Sequence, residues 1–307
     1  MLKRTLIGGT LAAGLAAVAA RRLGLREDLD WESVAKPGEV IAIGGYRVHY
    51  VDAGAGPAIL LVHGFGGSTY QFRYQLPPLS AAHRVIAVDL KGFGYSERSA
   101  TTGLSMSDQA DMLAALLDRL GIEHATVVGH SMGGGVVQRF ACAYPQLVDA
   151  LVLASSINLA HHIPRFRAPS ALLRPVLPVL AGVAASRLLS TSVYDSASLT
   201  PDVREEYLRP ARIRGSMDGL LKMMRDRAHD HPVDVSQIRA PVMLLWGAHD
   251  RVVPLKVAHE IRAQIPHARL VVIERAGHLL FDERPEEVTR ALLDFISEAV
   301  PVHMRAP

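Results

Sequence analysis

Six short apolar runs recur along this 307-residue chain: AILLVHG (58–64), RVIAVDL (84–90), ATVVGHS (125–131), VDALVLASS (148–156), PVMLLWG (241–247) and ARLVVIE (268–274). Runs of this length and continuity are what a strand shows when both of its faces are covered. Helical segments separate several of them. SMSDQADMLAALLDRLG (105–121) is amphipathic and closes on Gly121, GGVVQRFACAY follows the third run, and PEEVTRALLDFISEAV (285–300) follows the last. Strand, helix, strand in series implies a parallel sheet wrapped by helices, because parallel neighbours need a long crossover. Ahead of this series, EVIAIGG and YRVHYVDAG read as a hairpin turning at Gly44–Gly45. The length suits one large α/β domain or two smaller ones.

The rhythm breaks between the fourth and fifth runs. Residues 157–232 are rich in proline and arginine and carry apolar helical stretches such as SALLRPVLPVLAGVAASRLL (170–189). A helical insertion between two strands of one sheet reads as a cap over the sheet's carboxyl edge, where open α/β sheets bind ligands. The insertion holds 11 basic and 7 acidic side chains, the pattern of solvated helix faces.

Charge is distributed unevenly. Lys3, Arg4, Arg21, Arg22 and Arg26 precede the first acid, Glu27; without these five, 28 of the 33 basic residues face 30 acidic ones. The basicity belongs to the N-terminus, which argues against a nucleic-acid partner. Between Arg4 and Arg21 lies TLIGGTLAAGLAAVAA (5–20), 16 residues without a charge. As a helix it covers about 24 Å, short of the roughly 30 Å hydrocarbon core. It suits the h-region of a signal peptide, with Ala17-Val18-Ala19 as a cleavage site, or an uncleaved anchor extended by snorkelling arginines. The plainer alternative is an Ala-rich surface helix. Export or membrane tethering is the expectation for residues 1–26. Cys142 is the only cysteine and reads as a small core residue.

Gly129-His130-Ser131-Met132-Gly133 fits G-x-S-x-G with a strand before it and a helix after it. A strand-to-helix turn this tight strains the serine backbone, and side chains two residues to either side would collide. A serine hydroxyl attacks only when a base takes its proton and an acid orients that base. In this architecture the acid and then the histidine follow the serine in the chain. Asp250 stands just after the fifth run and His278 just after the sixth, so Ser131, Asp250 and His278 form the expected catalytic triad. HGFGGS (63–68) follows the first run. Its Phe65 N–H, with the Met132 N–H, is the expected oxyanion hole. His63 and Asp89 read as loop organisers.

The set HGFGG, DLKGFGYS, GHSMGG, WGAHD and AGH resembles the α/β-hydrolase family over roughly residues 38–300. The resemblance implies a mostly parallel eight-stranded sheet wrapped by helices, with a core of 38–156 and 233–307 and a helical cap of 157–232 inserted after strand 6. Dehalogenases and epoxide hydrolases of this fold carry an aspartate nucleophile where this chain has Ser131. Carbon–carbon bond hydrolases usually show GNS at the elbow and a tryptophan after the histidine, where this chain has His130 and Leu279. Both departures favour a serine hydrolase of carboxylic esters, apolar or lipid-like, needing no cofactor and no metal. An acyltransferase, a carbon–carbon bond hydrolase with the same triad and a ligand-binding protein on this scaffold stay open as alternatives.

Overall fold

The computed structural model describes residues 26–99, 102–160, 177–227 and 230–300. The expected signal or anchor run at 5–20 lies outside the described residues, as does the first part of the helix expected at 170–189. Among the described residues no helix is long and apolar enough to cross a membrane.

Eight strands form one sheet: β1 (Glu39–Ile43), β2 (Tyr46–Ala53), β3 (Ala58–Val62), β4 (Arg84–Val88), β5 (Ala125–His130), β6 (Val148–Ala154), β7 (Val242–Gly247) and β8 (Arg269–Ile273). Their order is β1-β2-β4-β3-β5-β6-β7-β8. β1 and β2 pair antiparallel through the expected turn, where Gly44 and Gly45 both adopt positive φ, and β2 pairs antiparallel with β4. All remaining pairs are parallel. The continuous apolar runs of β3 to β7 have the expected cause, whereas β8, at the edge of the sheet, has only Ile273 buried. Every residue of β5 and β7 is buried, because helices cover both faces of the sheet.

Short α1 (Leu76–Ser80) precedes β4, α2 (Met106–Arg119) precedes β5, and α3 (Met132–Ala143) follows it. Ser105 and Asp108 start α2 with a reciprocal capping box, and Gly121 at φ +67° closes its end. One face of the sheet packs on α2 and α3 through Leu113, Leu116, Val136 and Phe140, and on α7 (Lys256–Gln264) through Ile261. The other face packs on α9 (Pro285–Ala299) through Val288, Leu292 and Phe295. Each fully buried aliphatic side chain contributes about 1.5–3 kcal/mol relative to exposure, so both layers are needed to hold the strands.

Among the described residues three α-helices stand between β6 and β7: α4 (Leu177–Thr191), α5 (Pro201–Leu208) and α6 (Ser216–Asp226). α4, α5 and the loop between them share a small apolar cluster in which Leu189, Val193, Leu199 and Tyr207 meet Leu279, the residue after His278. The chain ahead of β1, for which the sequence offers no periodicity, packs onto this insertion. Leu29 forms a parallel bridge to Ile213, and Trp31 donates to the Tyr95 carbonyl at 2.8 Å.

Candidate active site

The chain reverses its direction across the sheet at β3, running first to β4 on one side and then to β5 on the other. The crevice opened by such a switch lies at the carboxyl ends of the strands. Val62, which ends β3, pairs beside Gly129 near the end of β5, so the HGFGG loop and Ser131 leave the sheet as neighbours.

Ser131 joins β5 directly to α3 with φ 54° and ψ −116°, backbone territory that non-glycine residues rarely occupy. Its N–H donates to the Ala154 carbonyl at 2.9 Å, which ties the turn to β6. The flanking glycines answer to close approach. A methyl on Gly133 would overlap the carbonyl oxygens of Val62 and His63, and one on Gly129 would overlap Val137 and the Gly133 carbonyl.

Asp250 follows β7. Its Oδ1 accepts the N–H groups of Val252 and Val253, both at 2.8 Å, and its Oδ2 accepts His278 Nδ1 at 2.8 Å. Burial opposes the ionised carboxyl. The bond from His278, the charge of that imidazole and the Val253 N–H outweigh it and hold the Asp250 pKa below its usual value. A proton fixed on Nδ1 leaves Nε2 of His278 unprotonated and able to accept one. Ser131 and His278 line the same cavity.

The His278 loop is held from three sides. Glu283, in the short helix α8 (Leu280–Glu283), accepts the Gly277 N–H at 2.7 Å, and its other oxygen accepts the N–H groups of Tyr194 and Asp195. Leu279 N–H donates to the Ser192 carbonyl at 3.0 Å. His130 Nε2 donates to the His278 carbonyl at 2.9 Å, its ring centre 4.6 Å from that of His278. Neither Glu283 nor His130 carries a role in the sequence reading. The signal for His130 was its place beside the nucleophile.

Burial, followed by the charge of His278, lowers the His130 pKa from 6.5 to about 3. A histidine that stays neutral when folded but takes a proton when unfolded adds stability above pH 6.5. That stability drains away as pH falls from 6.5 toward 3. At pH 4.5 the loss from this one group is about 2–3 kcal/mol. The fall in urea-unfolding stability from pH 7 to 4.5 should therefore be smaller in His130→Asn than in wild type. Equal falls would mean that another group carries the acid sensitivity.

His63 and Asp89 organise loops, as their sequence positions suggest. His63 Nε2 accepts the Leu90 N–H at 3.0 Å and Nδ1 donates to the Gly64 carbonyl at 2.7 Å. Asp89 accepts the N–H groups of Thr69 and Tyr95 and bonds His49 at 2.7 Å. Together they fix the HGFGG loop against Ser131. A methyl on Gly64 would stand 3.0 Å from Ser131 Cβ. Phe65 is 44% exposed and lines the cavity.

The cavity encloses about 630 Å³ between the sheet edge and the inserted helices, with Ala181, Ala185, Leu189, Leu220 and Met224 on the helical side. Its charged lining residues, among those described, are Glu27 and Arg98. Arg98 donates to Ser216 Oγ and to the carbonyls of Phe93, Gly94, Ser96 and Pro210. Glu27 accepts the N–H groups of Gly215 and Met217. Both are spent on holding the insertion. Among the described residues no group of three or more His, Cys, Asp or Glu side chains could hold a metal ion.

A family model described as the alpha/beta hydrolase fold matches residues 57–285. The chain is 33% identical over 265 residues to a 2-hydroxy-6-oxononadienedioate/2-hydroxy-6-oxononatrienedioate hydrolase of Burkholderia vietnamiensis, covering 81% of this chain and 91% of that one. Among solved structures it is similar to a meta-cleavage product hydrolase from Pseudomonas fluorescens, with a TM-score of 0.72 and 27% identity over 85% of this chain and 98% of that one. It is also similar to a thermophilic esterase from Thermogutta terrifontis, with a TM-score of 0.70 and 26% identity over 85% of this chain and 99% of the esterase. With the family match spanning most of its length and the eight-stranded sheet carrying the serine turn, this chain belongs to the α/β-hydrolase family.

Proposed function

We propose that the protein is a serine hydrolase of carboxylic esters whose acyl or alcohol part is apolar. One observation carries the reading. Ser131 and His278, the latter held by Asp250, open into a cavity whose charged lining residues, among those described, are already occupied, which leaves mostly apolar side chains to meet the substrate. In the mechanism, His278 Nε2 takes the Ser131 proton as Oγ attacks the ester carbonyl. Asp250 keeps His278 in the required tautomer and stabilises its charged form. The N–H groups of Phe65 and Met132 receive the oxyanion. The alcohol leaves with the proton from His278. A water deprotonated by His278 then releases the acid and restores Ser131. Residues 157–232 act as the cap that excludes water, over a core of 38–156 and 233–307. Residues 1–26 export or tether the enzyme.

A second reading is carbon–carbon bond hydrolysis, favoured by the 33% identity to the dienedioate hydrolase. A dienedioate carries two carboxylates. In this cavity the guanidinium that would meet one of them, Arg98, already spends its donors on four carbonyls and a hydroxyl. The test is a panel of p-nitrophenyl esters from C2 to C16 beside a ring-cleavage dienedioate. Turnover of the esters with a preference for medium chains, and at least about 100-fold lower kcat/KM on the dienedioate, is the expected result. The reverse preference would replace the ester reading by the second one.

A further inference from the structure

The geometry points to a docking face for an anionic phospholipid bilayer on the outer side of α4, beside the roof of the cavity. Two independent features converge there. The first is the face itself. Leu180 is 56% exposed and Val183 49%, and Leu188 at the rim is 41% exposed, in a molecule whose other large apolar side chains are mostly buried. Leu180, Val183 and Arg187 follow at i, i+3 and i+7, which places them on one side of the helix. Arg187 is exposed and is the only charged residue in the 15 residues of α4, which contain no acid. The opposite side of the same helix, through Ala181, Ala185 and Leu189, lines the cavity. An exposed apolar face with a basic residue and no carboxylate is the composition of a helix lying in a membrane interface.

The second feature is where the described chain begins. Glu27 lines the cavity and caps the start of α6 through the N–H groups of Gly215 and Met217, while Asp28 pairs with Arg212 at 3.0 Å. The N-terminal stretch is thus fixed to the insertion, and Glu27 lines the same cavity as Ala181, Ala185 and Leu189 of α4. The uncharged run at 5–20 ends seven residues before Glu27, and seven extended residues span at most about 25 Å. A bilayer that receives the run therefore lies within about 25 Å of Glu27, on the cavity that α4 also lines. Arg21, Arg22 and Arg26 occupy the connecting stretch without an acid among them, so the charge complement is an anionic lipid surface. Docked in this way, the enzyme presents its cavity roof to the lipid, and an apolar ester passes from bilayer to Ser131 without crossing bulk water.

The test uses the full chain with vesicles of phosphatidylcholine alone or with a quarter phosphatidylglycerol, some carrying brominated acyl chains. Leu180→Trp and Val183→Trp report on the face, and Val40→Trp, exposed on β1, serves as the control. The wild-type signal from Trp31 and Trp246 is subtracted. We expect brominated lipid to quench the added fluorescence at 180 and 183 by about half, to leave position 40 unchanged, and to require the anionic lipid. Quenching at 180 and 183 no greater than at 40, in protein that sediments with the vesicles, would show that the N-terminal run binds alone and would overturn the proposal. Failure to sediment would overturn it too, and so would equal quenching on neutral vesicles. A second variant, Leu180→Asp with Val183→Asp, should keep its rate on a water-soluble short ester and lose about tenfold on a long-chain ester carried in vesicles. Only this arm rests on the ester reading. A chain inert on every ester would sink that reading and leave the fluorescence to decide the docking face.

Discussion

Ser131→Ala is expected to lower kcat/KM on p-nitrophenyl esters by at least about 10³-fold, equivalent to roughly 4 kcal/mol of transition-state stabilisation. The loss is large because Ser131 is the group whose oxygen would form the acyl bond. Without it, His278 could only activate water in a cavity shaped for another nucleophile. The fold should survive. Ser131 holds its turn through backbone groups, donating its N–H to the Ala154 carbonyl and accepting from Gly135 and Ile157. Alanine keeps all three bonds. The urea midpoint of the variant should therefore stay within about 1 kcal/mol of wild type. Equal turnover by both proteins would remove Ser131 as the nucleophile, and the Asp250–His278 pair would need another partner. A variant that fails to fold would be recognised by its lost unfolding transition. In that case Ser131→Cys, with its slow ester turnover and thiol labelling, decides the role.

The parts of this molecule that were legible in the sequence share a physical property: they impose local demands on residue type. A strand covered on both faces must be continuously apolar, so β3 to β7 could be read as runs; β8 was read as one too, though at the sheet edge only its Ile273 is buried. A turn that admits no side chain must be glycine, so the elbow around Ser131 announced itself. That Asp250 and His278 stand just after later strands followed from chain order, and the structure brings them into a hydrogen bond. Strand neighbours, by contrast, leave no local mark. Nothing in AILLV says that β3 lies between β4 and β5, and it is this placement that sets the HGFGG loop beside Ser131. Helix α7 also went unread, since only Ala258 and Ile261 of its nine residues are buried and the apolar pattern is thin.

The supporting residues of the site were hidden for a related reason. Glu283 takes its meaning from three backbone N–H groups, two of them nearly 90 residues away in the chain. His130 sat inside the motif, yet its bond to the His278 carbonyl spans 148 positions. Glu27 and Trp31 fall in a stretch with no periodicity, because they act through isolated bonds, Glu27 on the insertion and Trp31 on the Tyr95 carbonyl, rather than through a repeating face. Polar residues that act through such contacts carry the same letters as solvated ones, and only the folded chain separates them.

Gly133→Ala should destabilise the protein by about 3 kcal/mol and reduce ester turnover with it. The sign makes this informative. Gly133 lies in the first turn of α3, and alanine in a helix is ordinarily better than glycine by about 1 kcal/mol. Gly219 in α6 tests that ordinary rule. A methyl there would meet nothing closer than the Gly92 carbonyl oxygen at 3.8 Å, so Gly219→Ala should hold or raise the urea midpoint. At Gly133 the new methyl would overlap the carbonyl oxygens of Val62 and His63, which are backbone atoms of the β3 end and cannot rotate away. The first turn of α3 must move off the sheet instead, and the Met132 N–H and Ser131 move with it. Stability and kcat should fall together, while Gly219→Ala alters neither downward. If Gly133→Ala proves as stable as Gly219→Ala, the close approach of α3 to β3 is not what the elbow glycine provides. The steric reading of the motif would then fail, even with Ser131 as the nucleophile.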